Sequence, residues 1–439
     1  MSTQIRVFLA TVLLALGAAR SVPAQPAPAP PASPVTLQDA LTLARANSPQ
    51  LLAATTASKL ATEDRVQAKA GLLPSLNGLL QYIYTEPNGT PSGVFVPNDG
   101  PKVYYAYGTV HGDVYSPAKW AEYRAAGAGE AAAKARADVA ARGLVATVVQ
   151  NFYAHVAAVR KATSAALALQ EAQHFEDITV RQERAGEVAR SDVVKAQIQV
   201  AQRRRDTSDA ELTALKSRLA LAVLLFPDLT RENLAVVDDL QDVRALPPYD
   251  LVKSQAEQVN PDVRAAEASV QQETSNIALA RSGYLPSISF DYFWGIEANQ
   301  FATYNPDGQR LLGSSAQIQL AVPLWNWGAA QSKVRQAQLR TQQAQAELSL
   351  TTRELQANIS AFYAEARTAL AQIDSLKTSL DLATESLRLT TLRYGSGEVS
   401  VLEVVDAQAT LVQARDGYND GLVRYRVALA ALQTLTGTL

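Results

Sequence analysis

Ser287-Ile288-Ser289-Phe290-Asp291-Tyr292-Phe293-Trp294-Gly295-Ile296 puts Ile288, Phe290, Tyr292, Trp294 and Ile296 on one side of an extended chain. That is the period-2 alternation of a strand with one greasy face. Ala316 to Val322 repeats the pattern with Gln317 and Gln319 on the opposite face, and a loop rich in Asn, Asp and Gly joins the two runs, predicted at 287–297 and 313–325. An earlier pair has the same plan with more tyrosine: 75–85, a loop through Pro87, Pro91 and Pro97, then 102–115. In that last run the alternation is blurred, and the sequence alone does not assign its faces.

After each strand pair the period changes. The stretches 118–184 and 328–393 run almost without glycine or proline, with Ala, Leu and Val on apolar positions and Gln, Arg, Glu, Asp and Thr on the rest. At 1.5 Å per residue each would reach about 100 Å, so they read as coiled-coil helices that bury a narrow seam. Gly186 and Gly397 mark tight reversals, because glycine accepts backbone angles that other residues avoid, and returning helices follow to about 226 and 435. A single helix is predicted ahead of each strand pair, at 36–71 and 250–283. Thr36 with Asp39 caps the first, and Gly71 and Gly283, followed by Pro74 and Pro286, stop the two.

The chain is therefore written twice. Ala68-Lys69-Ala70-Gly71-Leu72-Leu73-Pro74-Ser75 returns as Ala280-Arg281-Ser282-Gly283-Tyr284-Leu285-Pro286-Ser287. Phe152-Tyr153-Ala154 returns as Phe362-Tyr363-Ala364, and Gly186-Glu187-Val188 as Gly397-Glu398-Val399. A fixed period of this kind marks a duplicated structural unit. The organisation is a first repeat at 36–226, a linker or equatorial region at 227–249, and a second repeat at 250–439. Each repeat is helix, β-hairpin and long helical hairpin, a mixed α and β fold with internal pseudo-symmetry.

Composition adds a compartment. Residues 1–24 read as an export signal, with Arg6, the apolar run Val7 to Ala19, and Val22-Pro23-Ala24 before the cleavage point; 25–35 is a Pro/Ala-rich tether. Nothing later approaches the roughly 18–20 continuous apolar residues of a transmembrane helix. With no cysteine there is no disulfide, no thiol metal site and no lipid-anchored N-terminal cysteine. The balance of 40 basic against 42 acidic residues argues against nucleic acid as a partner. His111, His155 and His174 stand in no metal-ligand spacing, and no nucleophile or acid–base constellation is visible. The expectation is a protein without cofactor that is not an enzyme.

Four strands cannot close a barrel, which needs about eight, and open strand edges cannot sit in lipid. If these strands span a membrane, the chain must oligomerise. The segment Arg393-Tyr394-Gly395-Ser396-Gly397-Glu398-Val399-Ser400-Val401-Leu402-Glu403-Val404-Val405-Asp406-Ala407-Gln408, with the terminal Leu432-Gln433-Thr434-Leu435-Thr436-Gly437-Thr438-Leu439, resembles the TolC-type outer-membrane efflux family.

The resemblance implies a homotrimer in which a shared 12-stranded transmembrane β-barrel is continued by a periplasmic α-helical barrel. It implies a bacterial outer-membrane exit duct that conducts passively and contacts outer-membrane lipid. It also implies partners: a periplasmic adaptor at the hairpin tips Gly186, Glu187, Val188, Gly397, Glu398 and Val399, joined to an inner-membrane pump or exporter. Glu403 and Asp406, three apart and so on one helix face, would line the periplasmic constriction as acidic rings that favour cations. A hydrogen bond between Tyr394 and Asp192 would tether the closed mouth. Val399 stands where some members carry an arginine that adds an intersubunit link. The competing class is a trimeric outer-membrane coiled-coil scaffold or adhesin, which would need only one coiled coil per chain and no lumen.

Overall fold

The computed structural model describes residues 34–85, 102–228 and 234–438. The export signal, nearly all of the tether and the loop at 86–101 lie outside the described residues. Helices α1 (Leu37–Asn47) and α2 (Pro49–Ala70) lead into strands β1 (Ser75–Tyr84) and β2 (Lys102–Tyr115), then helices α3 (Pro117–Arg184) and α4 (Arg190–Leu225). The second repeat follows the same order: α5 (Tyr249–Val259), α6 (Pro261–Ser282), β3 (Ser287–Ala298), β4 (Leu312–Ala321), α7 (Ala329–Gly395) and α8 (Val401–Thr436).

The single helix expected at the head of each repeat is in fact two. Proline at the first helical position is pre-set for a helix start but cannot continue the preceding turn. Pro49 and Pro261 impose the same break at equivalent places, and the residue before each caps the new helix. Ser48 Oγ accepts from Leu51 N at 3.2 Å, and Asn260 Oδ1 accepts from Asp262 N at 2.9 Å and Val263 N at 3.1 Å. β4 also ends at Ala321 rather than at 325, since Pro323 offers no N–H to a ladder.

The four strands form one antiparallel sheet in the order β1-β2-β3-β4. The long helices α3 and α7, of 68 and 67 residues, hang from it. Each is flanked far from the sheet by a returning helix of 36 residues and near the sheet by a helix of 22. α3 packs on α4, α2 and α6, and α7 on α8 and α6. Asn47 Nδ2 donates to Leu225 O at 2.7 Å, which joins the end of α4 to the first repeat's short helices. No helix among the described residues is long and apolar enough to cross a membrane.

The main core is a belt around this mid-height joint. Phe152, Leu221, Leu225, Ile359, Leu422 and Tyr425 are fully buried there. Phe152 and Tyr153, one of the duplicated anchors, sit inside it, while their copies Phe362 and Tyr363 pack against its edge. The linker straps the belt: Val35 bonds in parallel with Ala235 and Val237 (2.9 and 3.0 Å), and Arg426, almost wholly buried, reaches Asp239 Oδ2 at 2.9 Å.

Nearer the sheet, Glu130 on α3 is held by Lys134 at 2.5 Å, Arg65 at 3.0 Å and Thr62 at 3.1 Å. Bonds from Lys134 and then Arg65 depress its carboxyl from 4.5 to about 2. A carboxylate whose folded pKa lies below its unfolded value stabilises the fold fully above the unfolded pKa and loses that contribution as pH falls toward the folded one. Glu130→Gln is therefore expected to flatten the fall in melting temperature between pH 4.5 and 2, as thermal unfolding across that range would record.

Candidate functional site

Two regions concentrate the chemistry: the faces of the sheet and the ends of the helical hairpins. The register assigns the faces that the sequence left open in β2. Gly108 pairs with Trp294, Val110 with Tyr292 and Gly112 with Phe290, so these share the greasy face; Tyr107 pairs with Gly295, Thr109 with Phe293 and His111 with Asp291 on the other. β1 and β4 follow. Leu76, Leu80, Ile318 and Leu320 extend the greasy face and are each more than 60 % exposed, whereas Asn77, Gln317 and Gln319 extend the polar one. Large apolar side chains pointing away from any core of the chain need another apolar medium.

The junction with the helices is aromatic. Trp120, Trp325 and Trp327 are exposed there, and the rings of Trp325 and Trp327 meet edge-on at 5.9 Å. Such belts occur where a greasy band meets water. On the polar face His111 Nδ1 lies 2.7 Å from Asp291 Oδ1. Sequence reading missed this pair, because residues 180 positions apart are brought together only by the β2–β3 register.

The hairpin ends are two copies of one turn. Gly186 and Gly397 take φ of +78° and +77°, a left-handed conformation that glycine adopts without steric cost. Gly186 N–H bonds Glu183 O and Glu187 N–H bonds Gln182 O, both at 2.9 Å; Gly397 N–H bonds Tyr394 O at 3.0 Å and Glu398 N–H bonds Arg393 O at 2.9 Å. This pairing satisfies carbonyls that would otherwise be orphaned at a helix end. It leaves Gly186, Glu187, Gly397 and Glu398 exposed. Val188 and Val399 instead turn inward, half-buried against a small core of Phe175, Ala196, Tyr394, Val401 and Val404.

That core surrounds one partner of the expected tether, Tyr394. Tyr394 is buried, with its ring edge-on to Phe175 at 5.0 Å, and its hydroxyl makes no bond to Asp192. Asp192 bonds Lys195 at 3.2 Å, one helical turn away, and Thr179, beside the phenol, gives its proton to Phe175 O at 2.9 Å. Burial pushes the phenol's pKa up; Thr179 opposes the shift and the Asp192 charge adds to it. The hairpins are held by packing of the ring. Tyr394→Phe, which deletes a buried hydroxyl without a partner, is expected to leave stability unchanged or raised by up to about 1 kcal/mol. Tyr394→Ala should cost about 3–5 kcal/mol through the lost ring. Thermal unfolding of the two variants checks both.

Glu403 and Asp406 are both exposed on the first turns of α8. Their surroundings differ. The Glu403 carboxylate accepts from Ser400 N at 3.2 Å and Ser400 Oγ at 3.3 Å, so it closes the helix start as well as presenting charge. The Asp406 carboxylate has no ion-pair or hydrogen-bond partner among the described residues. In the first repeat the equivalent positions are Asp192 and Lys195, which neutralise each other at 3.2 Å. One hairpin end of each chain is thus locally compensated and the other carries uncompensated negative charge.

A family model described as "Outer membrane efflux protein" matches residues 252–438. The chain is 24 % identical over 405 residues to Outer membrane protein TolC of Vibrio cholerae, covering 90 % of this chain and 89 % of that protein. It is 26 % identical over 418 residues to Proteases secretion protein PrtF of Dickeya chrysanthemi, covering 92 % and 88 %. Its fold superposes on the CmeC outer membrane channel of Campylobacter jejuni with a TM-score of 0.81, 18 % identity, and 91 % and 85 % of the two chains covered. The outer membrane protein VceC of Vibrio cholerae gives 0.80, 18 % identity, and 91 % and 96 %.

Proposed function

Because residues 252–438 match the outer membrane efflux protein model and nearly the whole chain aligns with an outer membrane protein TolC, we propose that this chain is a member of that family and that three copies of it close one 12-stranded barrel in the outer membrane and continue it as a helical barrel through the periplasm. The chain is an outer-membrane exit duct of an efflux or secretion system. The observation that carries the trimer is the sheet itself. Among the described residues it has four strands, one face of exposed large apolar side chains, one polar face, and two edges, on β1 and β4, that no described strand covers. Unpaired backbone groups on an edge cost several kcal/mol each in hydrocarbon, so closure must come from further copies. Three copies supply twelve strands, an even number within the range of membrane barrels. The greasy face then meets lipid, the Trp120, Trp325 and Trp327 belt sits at the periplasmic interface, and the polar face with His111, Asp291 and Gln317 lines water.

At the far end the same symmetry gathers three copies of Glu403 and Asp406. We assign them the periplasmic constriction, with Asp406 as the freer charge. The exposed turns at Gly186, Glu187, Gly397 and Glu398 are the surface for a periplasmic adaptor, which links the duct to an inner-membrane pump or exporter. Val188 and Val399 support those turns from beneath.

Cysteine pairs introduced on the two edges, Leu79→Cys on β1 with each of Gln317→Cys and Gln319→Cys on β4, test the closure. Oxidation should give covalent trimers for at least one pair. Monomeric chains from every pair, in protein extracted from outer membranes, would exclude this closure.

A further inference from the structure

Gly295 and Gly313 face each other across the β3–β4 ladder on the inward face, so neither strand puts a side chain there. The hollow of about 430 Å³ that results is walled by Tyr107 and Phe293, with Ser315 and Glu297 at its margins. The two rings meet edge to face, centroids 5.6 Å apart at 84°, and Tyr105 stands edge-on to Tyr107 at 6.2 Å. Glu297 pairs in register with Tyr105, which places a carboxylate beside the aromatic wall, and it has no ion-pair partner among the described residues. The two glycines have different grounds. A Cβ on Gly295 would lie 2.3 Å from Ala106 O and from Tyr107 Cβ, so packing alone demands glycine. A Cβ on Gly313 would meet nothing within 4 Å, so packing leaves that side of the hollow open.

We infer that this hollow is a transit subsite for organic cations with an apolar or aromatic body, one per chain inside the barrel; the assignment rests on the duct reading, which turns this face to the lumen. Aromatic π-faces attract a cation, and an edge-to-face pair offers a face and an edge to a flat apolar body. A carboxylate without a partner supplies the matching charge. A concave, mostly apolar pocket with a small number of placed polar groups is the usual form of a small-molecule site, and here Glu297 and Ser315 are those groups. Three such hollows around one axis, all at the same depth, would give a cation alternative resting places near the outer end of the duct, with each contact weak enough to release it.

The test uses the purified full-length assembly in detergent with rhodamine 6G as the probe, followed by fluorescence polarisation against a micelle blank without protein. Saturable binding is expected, weakened about tenfold by Glu297→Gln and by at least about tenfold when Gly313→Val fills the hollow, with Gln317→Ala as the unchanged control. The chain has no cysteine, so Ser315→Cys and Ile318→Cys report orientation cleanly with a membrane-impermeant maleimide on protein in vesicles. If Ser315→Cys labels and Ile318→Cys does not, yet rhodamine 6G binds all variants equally, the subsite is overturned while the duct stands. If Ile318→Cys labels and Ser315→Cys does not, the duct reading itself fails and takes the subsite with it.

Discussion

Gly295→Ala is expected to abolish assembly of the outer-membrane barrel while leaving the chain's synthesis and export intact. Gly295 lies directly opposite Tyr107 in the β2–β3 ladder, at the centre of the sheet. A methyl group there would sit 2.3 Å from the Ala106 carbonyl oxygen and from Tyr107 Cβ, and 2.4 Å from Tyr107 Cα. Two of those three atoms are backbone, so the clash cannot be relieved by a rotamer change, and the strands must part. Overpacking costs roughly 1–3 kcal/mol where side chains can yield, and the present case falls at or above the top of that range. Because β2 and β3 join the two repeats, the loss propagates to both halves of the sheet. Gly313→Ala, across the neighbouring ladder with nothing within 4 Å of the new methyl, is the matched control and should assemble normally. The fraction of heat-resistant oligomer in outer-membrane extracts, measured for both variants, decides this prediction.

Asp239→Ala should produce a large loss in the helical part, about 2–3 kcal/mol, because it removes the carboxylate partner of a buried guanidinium while the partly exposed pair tempers the full buried-pair cost. Arg426 is 4 % exposed, and its guanidinium depends on the Asp239 carboxylate at 2.9 Å, with Asp242 farther off at 3.7 Å. Tyr153 OH also donates to the same carboxylate oxygen at 3.3 Å, and burial together with the Asp239 charge pushes that phenol up to about 12. Deleting the carboxylate leaves a charged group in the belt that holds α3, α8 and the linker together. Arg426→Met in the Asp239→Ala background should restore most of the loss, since an apolar side chain of similar length needs no counter-charge. Chemical denaturation of the single and double variants measures the difference. A double variant as unstable as Asp239→Ala alone would mean that the carboxylate acts through Tyr153 and the linker backbone instead.

What the sequence disclosed followed from which interactions are local. The alternation in 287–296, the glycines at 186 and 397 and the repeated anchors at 68–75 and 280–287 encode conformation within a few residues, and the elements they specify are present. The breaks at Pro49 and Pro261 were also written locally, as a Ser or Asn cap followed by proline, although the even helical composition on either side masks them. Ser400 and Glu403 form the S-x-x-E pattern of a capping box, which explains why Glu403 bends back on its own helix start. The faces of β2 and the His111–Asp291 pair were not legible, because both depend on register between strands from different repeats. The bond expected between Tyr394 and Asp192 is not made in this structure. Asp192 has Lys195 within one turn, and an i,i+3 partner on the same helix competes with any bond to Tyr394 across the hairpins.

Single-channel current through the purified assembly in a planar bilayer tests the central claim most directly, with the native protein set beside Glu403→Gln, Asp406→Asn and the double variant. The account predicts stepwise conductance that favours cations, a preference weakened more by Asp406→Asn than by Glu403→Gln, and lost in the double variant. Native protein that inserts into the bilayer yet passes no current, or that shows the same ion preference in all four forms, would contradict a duct gated by charge at the hairpin ends.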